Sequence, residues 1–384
     1  MKKQKDLIII GGGVMGLMTA YYASKYSKRI TLLEKLTIGN KYAASSGLTR
    51  SIRNDYLDPT YSRLAYSALL MWKKLLKKSR RNFLIDCGVL NVAKKSITPD
   101  IYNSYANKSF LTLKKLGRKV KKFNKLELNR AFPQFDADFA VLDIEAGFLY
   151  APVIMKFLTS ELRRKGVKVI ENIKISTIKT ANKSLTVNTN RGIFTAKKLV
   201  ITAGNGTNKI LNKIKNVKAF QLPITLIKPP KSKYFQPANK ISNLFMSEKL
   251  PVFAYLDVGI YGHPIYKGKT PGVKIGFFKP GGFTSNPKIK INNQEGFIGQ
   301  CLPGLQSAKR VKNPDIEKCC YDMTSDNNFI VGKLTNIKNV FVGAGFCGTG
   351  FKFAPLIGKV LSELAFNGKT KYDISKLAPE RFTF

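Results

Sequence analysis

The sequence has 384 residues but only one histidine, His263. A hydrolase with a Ser-His-Asp or Cys-His arrangement would need this residue as its base, and a metal site built on histidines would lack ligands. The shortage therefore excludes much histidine-dependent chemistry. We expect a reaction that depends on a cofactor, supported by lysine, arginine and tyrosine.

Cysteine is also scarce, and no two cysteines form the C-x-x-C spacing of a metal site. The five cysteines are Cys87, Cys301, Cys319, Cys320 and Cys347. Their odd number and scattered positions indicate neither a disulfide framework nor a metal site. The pattern fits a reducing compartment, and we expect a cytoplasmic protein.

Long apolar runs are missing as well. Residues 6–23 follow several lysines, as the apolar part of a signal peptide does, but they contain three consecutive glycines. Cleavage there would remove a glycine motif on which the fold depends, and the interrupted run does not suit a membrane span. We therefore expect a soluble protein.

Acidic residues are few, since 23 Asp and Glu stand against 66 Lys and Arg, a formal charge of +43. Such a charge attracts nucleic acids and anionic membranes. The basic residues are spread along the chain, with small clusters at residues 73–81 and 114–125, and no nucleic-acid-binding motif accompanies them. We interpret the excess as a lysine-rich solvated surface and do not expect nucleic acid binding. Attraction of an anionic partner is the alternative.

The most informative stretch is present near the N-terminus, where residues 7–35 read LIIIGGGVMGLMTAYYASKYSKRITLLEK. Residues 7–10 are apolar and predict a buried parallel strand. A glycine-rich turn follows, then a helix-compatible segment at 17–26 and a second strand at 30–33. This order of strand, turn, helix and strand is that of a dinucleotide-binding unit.

Three glycines in this stretch, Gly11, Gly13 and Gly16, have the G-x-G-x-x-G spacing. They permit the tight turn, the approach of a pyrophosphate to the backbone and the close packing of helix on strand. The helix N-terminus offers N–H groups to phosphates, and Glu34, 18 residues after Gly16, can accept hydrogen bonds from a ribose. The predicted cofactor contacts here are Gly11, Gly13, Val14, Met15, Gly16 and Glu34. An unrelated glycine-rich α/β turn is the alternative, and the motif does not separate FAD from NAD.

The rest of the chain predicts two interleaved domains. Helices are expected at 61–81, 100–130, 151–165 and 354–366, and Trp72 is expected in the core. Strands at 167–204 and a second strand-to-glycine turn at 339–350 return to the first domain, whereas 218–310 has short β-like stretches typical of an antiparallel sheet. The fold class is therefore α/β (α+β). We expect a discontinuous Rossmann-like cofactor domain at 1–85, 145–215 and 311–384, and an antiparallel substrate domain at 86–144 and 216–310.

Two arginines, Arg50 and Arg53, lie three residues apart and would share one face if their segment were helical. Arginine suits carboxylate or phosphate recognition because its donor fork is planar and rigid. From spacing alone, two ordinary surface arginines are an equal alternative.

The residues together resemble flavin-dependent amine oxidases of the D-amino-acid-oxidase superfamily, most closely the monomeric sarcosine oxidase and N-methyltryptophan oxidase group. The likeness covers nearly the whole chain. It is strongest at the glycine motif, at TRSIR (49–53) and at GAGFCGTGFKFAPLIGKVLSELAFNGKTKYDIS (343–375). The resemblance implies an FAD between the two domains, and its cofactor contacts would include Arg50, Ile175, Gly348, Gly350 and Lys352.

The same resemblance implies further site residues. The segment KCCYDMT (318–324) is similar to the place where the group attaches flavin through a cysteine thioether, and Cys319 matches better than Cys320. Two buried free cysteines are the alternative. The resemblance places Arg53 and Lys352 on the substrate carboxylate, Lys274 near the flavin where it promotes reaction with oxygen, and Tyr321 in the catalytic site.

One position departs from the group. Four residues after the matching lysine, sarcosine-oxidising members have a pocket histidine where this chain has Phe278. The pocket should therefore be more apolar, which favours a larger N-substituted amino acid over sarcosine. His263 lies near in sequence, and we expect it to be structural.

The resemblance implies an oxidase of secondary amino acids, N-methyl or cyclic, that forms an imine and hydrogen peroxide, with a small amino acid and oxygen as its partners and a monomeric state. A dehydrogenase of the same fold that uses another acceptor is the first alternative. A non-catalytic flavoprotein that binds an anionic partner is the second.

Overall fold

The structure is a computed structural model that describes residues 4–181, 184–211, 217–229, 243–278, 294–306, 308–311 and 318–382, without the side chains of 217–223 and 318–320. The helices are α1 (Val14–Ala23), α2 (Pro59–Ser79), α3 (Tyr105–Lys115), α4 (Lys125–Ala131), α5 (Ala151–Arg164), α6 (Thr207–Leu211), α7 (Gln294–Cys301) and α8 (Gly350–Asn367). The strands in the first half of the chain are β1 (Lys5–Ile10), β2 (Ile30–Leu33), β3 (Thr49–Ile52), β4 (Leu84–Ile85), β5 (Val89–Ala93), β6 (Val120–Asn124), β7 (Phe139–Asp143), β8 (Gly147–Tyr150), β9 (Lys168–Ile170), β10 (Ile175–Ala181) and β11 (Ser184–Thr189). Those that follow are β12 (Gly192–Ile201), β13 (Val217–Lys228), β14 (Val252–Tyr255), β15 (Ile260–His263), β16 (Val273–Phe277), β17 (Lys309–Val311), β18 (Lys318–Thr324), β19 (Ile330–Lys333) and β20 (Val340–Ala344).

The first large sheet has a parallel centre. Strand β1 pairs in parallel with β2 and β12, and β9 and β20 extend the parallel part at either side. Strands β10 and β11 pair antiparallel beside the first half of β12, and β19 pairs antiparallel with β20. Residues 7–10 are buried on both faces of the sheet, which is why their sequence is continuously apolar: Leu7 and Ile9 pack in a core cluster with α1 and α8, and Ile8 and Ile10 in one formed mainly by strand residues. This is the predicted Rossmann-like arrangement.

The second large sheet is mostly antiparallel, with the order β17-β13-β16-β15-β14-β5-β7-β6 and with β18 on β13. Its strands come from 89–143 and from 217–324, so the chain passes between the sheets several times. Strand β18 joins this sheet although the sequence-based division places 311–384 in the cofactor domain. The domain boundaries stay a prediction.

Helix α8 connects the C-terminal half to the N-terminal motif by packing against α1. A Cβ atom added to Gly358 would lie 2.6 Å from the backbone carbon of Met18, so the absence of a side chain permits the close approach. Helix α2 supports the same helix, because the indole N–H of Trp72 donates to the carbonyl of Lys352 at 2.8 Å. Trp72 is fully buried, as predicted.

One condition was not met, and one local expectation was wrong. The segment with Arg50 is not helical: residues 49–52 form β3, which pairs antiparallel with β8 in a small third sheet. The helix expected throughout 100–130 is interrupted by β6, which pairs with β7. In both places a neighbouring strand decides the conformation, and this neighbour cannot be recognised from the local pattern.

Among the described residues, no helix combines the length and the apolar character needed to cross a bilayer. The cytoplasmic location stays a prediction.

Candidate active site

A cavity of about 980 Å³ is lined by residues of both large sheets and of α1 and α8. It brings together the two glycine-bearing regions that the sequence singled out. The predicted site residues that line it are Gly11, Gly13, Val14, Met15, Glu34, Arg50, Arg53, Ile175, Lys274, Tyr321, Gly348, Gly350 and Lys352. Gly16 lies behind the wall, and the side chain of Cys319 lies outside the described residues.

The N-terminus of α1 borders the cavity at Gly13. A Cβ atom on Gly16 would lie 1.8 Å from the carbonyl oxygen of Gly11, so only glycine lets the helix pack this closely on its own turn. Gly13 has no side chain to cap the helix, and the N–H of Val14 donates to the hydroxyl of Ser45 at 2.9 Å. Backbone donors and the positive end of the helix dipole thus face a space where a pyrophosphate fits.

Glu34 is fixed at the end of β2 by the backbone of the glycine turn. One carboxylate oxygen accepts from the N–H of Gly12 at 2.6 Å, and the other accepts from the N–H of Leu36 at 2.9 Å. Each carboxylate oxygen can accept a further hydrogen bond. Contact with a ribose therefore stays a prediction that this arrangement permits.

A buried carboxylate, Asp322 of β18, holds the second glycine region. It accepts from the N–H groups of Gly345 at 2.9 Å and Phe346 at 3.2 Å. Burial raises the pKa of this carboxyl to about 6, against the effect of these hydrogen bonds. Asp322 follows Tyr321 in β18, and the loop that it binds leads to Gly348. It therefore connects two parts of the predicted site, Tyr321 and the second glycine region.

Arg53 lies buried at the cavity wall and is paired with a carboxylate of its own chain. Its guanidinium donates to Asp55 Oδ1 at 2.8 Å and to the hydroxyl of Tyr105 at 3.2 Å, and it lies over the ring of Tyr56 at 4.4 Å. Burial opposes the charged form, but Asp55 and the tyrosines raise the pKa of Arg53 well above its ordinary value. Arg53 is therefore a permanent cation with a fixed orientation.

Lys352 lies in the first turn of α8 and is 5% exposed. Its ammonium group donates to the carbonyl oxygen of Thr349 at 3.2 Å. Burial, and then the charge of Arg53, lower the pKa of Lys352 well below the ordinary value of a lysine. Two potential carboxylate-binding groups thus share one wall of the cavity.

Lys274 lies on β16 and is also buried at the cavity. Its ammonium group donates to the carbonyl oxygen of Thr49 at 3.4 Å and lies 5.2 Å from the ring centre of Tyr261. Strand β3, which carries Arg50, therefore contacts the strand that carries Lys274. The structure places the lysine in the same cavity as the two other predicted cations.

His263 lies opposite Lys274 in the pairing of β15 with β16 and lines the cavity. It is 1% exposed, and its Nε2 lies 2.8 Å from the hydroxyl of Ser51 on β3. Burial, followed by the charges of Lys274 and Arg50, lowers the pKa of His263 well below its ordinary value. The imidazole is therefore neutral and connects β3 to the second sheet.

An apolar wall lies near these cations. It consists of Val89 on β5, Val252 and Ala254 on β14, Leu256 and Phe278. Phe278 stands at the cavity, as the sequence predicted. Several residues of the site were missed: Ser51 and Asp322, which lie inside the quoted segments TRSIR and KCCYDMT but were given no role, and Ser45, Asp55 and Tyr105, which follow no motif.

The described residues fit a bound FAD. A dinucleotide needs an uncapped helix N-terminus at its pyrophosphate and an acidic residue at its ribose, and the cavity has Gly13 and Glu34 in these places. The wall formed by Arg53, Lys352 and Lys274 supplies cations for an anionic substrate in the same space. Fold and site together define a dinucleotide-binding protein with a basic ligand pocket.

The chain belongs to the family of FAD-dependent oxidoreductases, whose model matches residues 6–364. Curated relatives are similar over their whole length. Peroxisomal sarcosine oxidase of Homo sapiens is 28% identical over 100% of this chain and 98% of the relative. Monomeric sarcosine oxidase of Arthrobacter sp. (strain TE1826) is 27% identical over 98% and 96%, and N-methyl-L-tryptophan oxidase of Yersinia pestis (strain Pestoides F) is 26% identical over 98% and 99%.

A solved structure with a similar fold is L-proline dehydrogenase from P. horikoshii, with a TM-score of 0.81, 20% identity and coverage of 100% of this chain and 98% of that one. Glycine oxidase from Geobacillus kaustophilus has a TM-score of 0.78 at 18% identity, over 99% and 100%. These findings confirm the predicted fold class and the family resemblance. They also confirm FAD as the cofactor and an FAD-dependent oxidoreductase that acts on the CH–NH group of its donors.

Proposed function

We propose that the protein is an oxidase of secondary amino acids, N-methyl or cyclic, which converts the C–N bond to an imine and releases hydrogen peroxide. The observation that carries the proposal is the pair of buried basic residues, Arg53 and Lys352, on one wall of the cavity that also contains Lys274. The names of the sarcosine and N-methyltryptophan oxidases among its relatives support the same reaction.

The substrate carboxylate binds between Arg53 and Lys352. Arg53 is held by Asp55 and Tyr105, so its donors are already oriented when the substrate arrives. Fixing the carboxylate fixes the direction of the substrate's C–H bond, which accelerates a reaction by removing rotational freedom. FAD held in this cavity would supply the acceptor for the two electrons of the oxidation. Lys274 supplies a fixed positive charge in the low-polarity cavity, where reduction of dioxygen develops negative charge.

The substrate is larger and less polar than sarcosine. The apolar residues Val252, Leu256 and Phe278 line the same cavity as the basic residues. Each buried methylene of a substrate side chain gains about 0.8 kcal/mol from such a wall. We therefore propose ring-containing or branched secondary amino acids as the preferred substrates.

Covalent attachment of the flavin through Cys319 is part of the proposal. Support comes from the position of this cysteine in the sequence, two residues before Tyr321, which lines the cavity. The holoenzyme should give a yellow pellet after acid precipitation, and Cys319→Ala should release its flavin into the supernatant. Complete release of flavin from the unsubstituted protein would contradict the attachment.

The function is tested by anaerobic bleaching of the flavin with a panel of amino acids. We expect cyclic and N-methyl amino acids to bleach it and the corresponding primary amino acids and simple amines to do so much more slowly. Under air, one hydrogen peroxide should form for each amine oxidised. A flavin that stays oxidised with every member of the panel would overturn the proposal, and a low peroxide yield would point to an acceptor other than oxygen.

A further inference from the structure

The ammonium group of Lys352 is short of partners. It has three donors, but among the described residues its hydrogen-bond acceptor is the carbonyl oxygen of Thr349. It forms no salt bridge with a described carboxylate. The rings of Tyr56 and Phe353 lie 5.9 Å from its nitrogen, a weak interaction at this distance.

The charged groups that face Lys352 come from three parts of the fold. Arg53 and Asp55 follow β3, Arg50 lies on β3, and His263 lies on β15. Arg53 and Asp55 already neutralise one another, with 2.8 Å between Nη1 and Oδ1. Arg50 is half-buried and donates to backbone carbonyls, among them those of Thr49 and Ala44. His263 is neutral, so among the described residues the carboxylate that acts on Lys352 is Asp55, which Arg53 already pairs.

A buried cation without a counter-charge is costly, and a buried lysine avoids this cost by losing its proton. When an anion enters the pocket, the protonated form of the lysine is favoured instead. A carboxylate bound between Arg53 and Lys352 would contact a guanidinium whose charge Asp55 already neutralises. The bound carboxylate therefore has a full counter-charge only if Lys352 is protonated. Binding of the anion and protonation of the lysine therefore favour each other.

We propose that Lys352 is a neutral amine in the ligand-free pocket and takes up a proton when a carboxylate binds beside it. For an amino acid substrate the proton comes from the substrate's own ammonium group. One N–H bond of the substrate breaks, one N–H bond of Lys352 forms, and no electron moves. The substrate is left with a neutral amine next to the C–H bond to be oxidised, which is the form that can lose a hydride.

The proton uptake can be measured without turnover. The FAD-loaded enzyme is titrated calorimetrically with cyclopentanecarboxylate, which has a carboxylate but no amine, in phosphate and in Tris near neutral pH. Because the two buffers differ in ionisation enthalpy, the difference in heat counts protons. We expect nearly one proton per ligand for the unsubstituted protein.

Lys352→Arg keeps a permanent charge, so it should bind the carboxylate with almost no uptake. The exposed Lys333→Arg is the matched control and should behave as the unsubstituted protein. Absent uptake in the unsubstituted protein, or equal uptake in Lys352→Arg, would overturn the proposal. If Lys352→Arg binds no ligand, the pH dependence decides: the Kd of the unsubstituted protein should rise with pH above the lowered pKa of the free lysine, by at most about tenfold per pH unit, and a flat Kd contradicts the proposal.

This inference rests on the proposed function only in taking the cavity as a carboxylate site. Proton uptake without oxidation of any amine would refute the oxidase and leave the linkage standing. Oxidation of amines without proton uptake would support the oxidase and refute the linkage. The two results are therefore distinguishable in the same preparation.

Discussion

At the scale of single residues, the site depends on cations that are oriented by neighbours far away in the sequence. The guanidinium of Arg53 is held by Asp55 and by Tyr105 of α3. The backbone of Lys352 is held by Trp72 of α2. The basic character of Arg53 and Lys352 was recognisable from the sequence, but the residues that orient them follow no spacing rule. The contacts that these residues make with Arg53 and Lys352 form only in the folded chain.

Arg53→Lys should separate charge from geometry in the carboxylate site. The lysine keeps a cation beside Asp55 but lacks the planar fork, so a charge-assisted hydrogen bond to the substrate is lost, at a cost of about 1.5–3 kcal/mol. We expect KM to rise roughly tenfold or more, with a smaller change in kcat. Steady-state kinetics with a cyclic amino acid measure this. The exposed Arg63→Lys is the control, and an unchanged KM for Arg53→Lys would refute the role.

His263 offers a direct check of the electrostatics because it is the chain's one histidine. Burial lowers its pKa well below the ordinary value of about 6.5, so the folded protein should keep it neutral when a solvated histidine is charged. The ¹⁵N chemical shifts of the imidazole, in protein without a histidine tag, report this state. A titration midpoint near 6.5 would contradict the neutral imidazole.

The same shift has a consequence for stability. The unfolded chain binds a proton at His263 below pH 6.5, whereas the folded chain does not. Stability is therefore lost as the pH falls below this value and towards the lower pKa of the folded state. His263→Phe should show a shallower loss of unfolding free energy over this acidic range.

At the scale of elements, prediction from the sequence succeeded where a strand or helix follows a strong local pattern. Strand β2 occupies residues 30–33 as expected, and β11 occupies 184–189. It failed for β6 and made no definite prediction for β3, because the conformation of these strands is decided by pairing with β7 and β8. The contact between Ser51 and His263 was not predicted for the same reason, since only the packing of β3 on the second sheet brings them together.

The packing of α8 on α1 connects stability to the site, since α1 begins at the cavity and α8 carries Lys352. Gly358→Ala should destabilise the protein by about 1–3 kcal/mol, because the new Cβ would lie 2.6 Å from Met18 and the helices must separate. We also expect weaker retention of flavin. Denaturant unfolding of the FAD-loaded protein measures the free energy.

Gly299→Ala is the matched control for this substitution. Gly299 lies in α7, and the nearest atom to its added Cβ is 3.6 Å away, on the side chain of Gln306. Alanine there should be neutral or stabilise by up to about 1 kcal/mol through its higher helix propensity. Equal stability of Gly358→Ala and the unsubstituted protein would show that the helices are not in tight contact.

At the scale of the whole molecule, the formal charge is +43, and exposed lysines occur on strands of both large sheets. Exposed lysines occur on α2, β6, β10 and β19, for example Lys74, Lys121, Lys179 and Lys333. A surface built for one anionic partner would carry its charge on one side. The distribution therefore favours a solvated lysine-rich surface, which keeps the molecule apart from other copies and strains the folded state through repulsion.

Salt should relieve this repulsion. Raising NaCl from about 0.01 to 0.15 M shortens the screening length from about 30 to 8 Å, so we expect the unfolding temperature of the FAD-loaded protein to rise. Sodium sulfate at equal ionic strength is the comparison, because a pure screening effect depends on ionic strength alone, whereas a larger rise with sulfate would indicate bound anions. An uncharged osmolyte at matched osmolality controls for excluded-solvent effects. An unfolding temperature that stays constant or falls with NaCl would show that surface repulsion does not limit the stability of this protein.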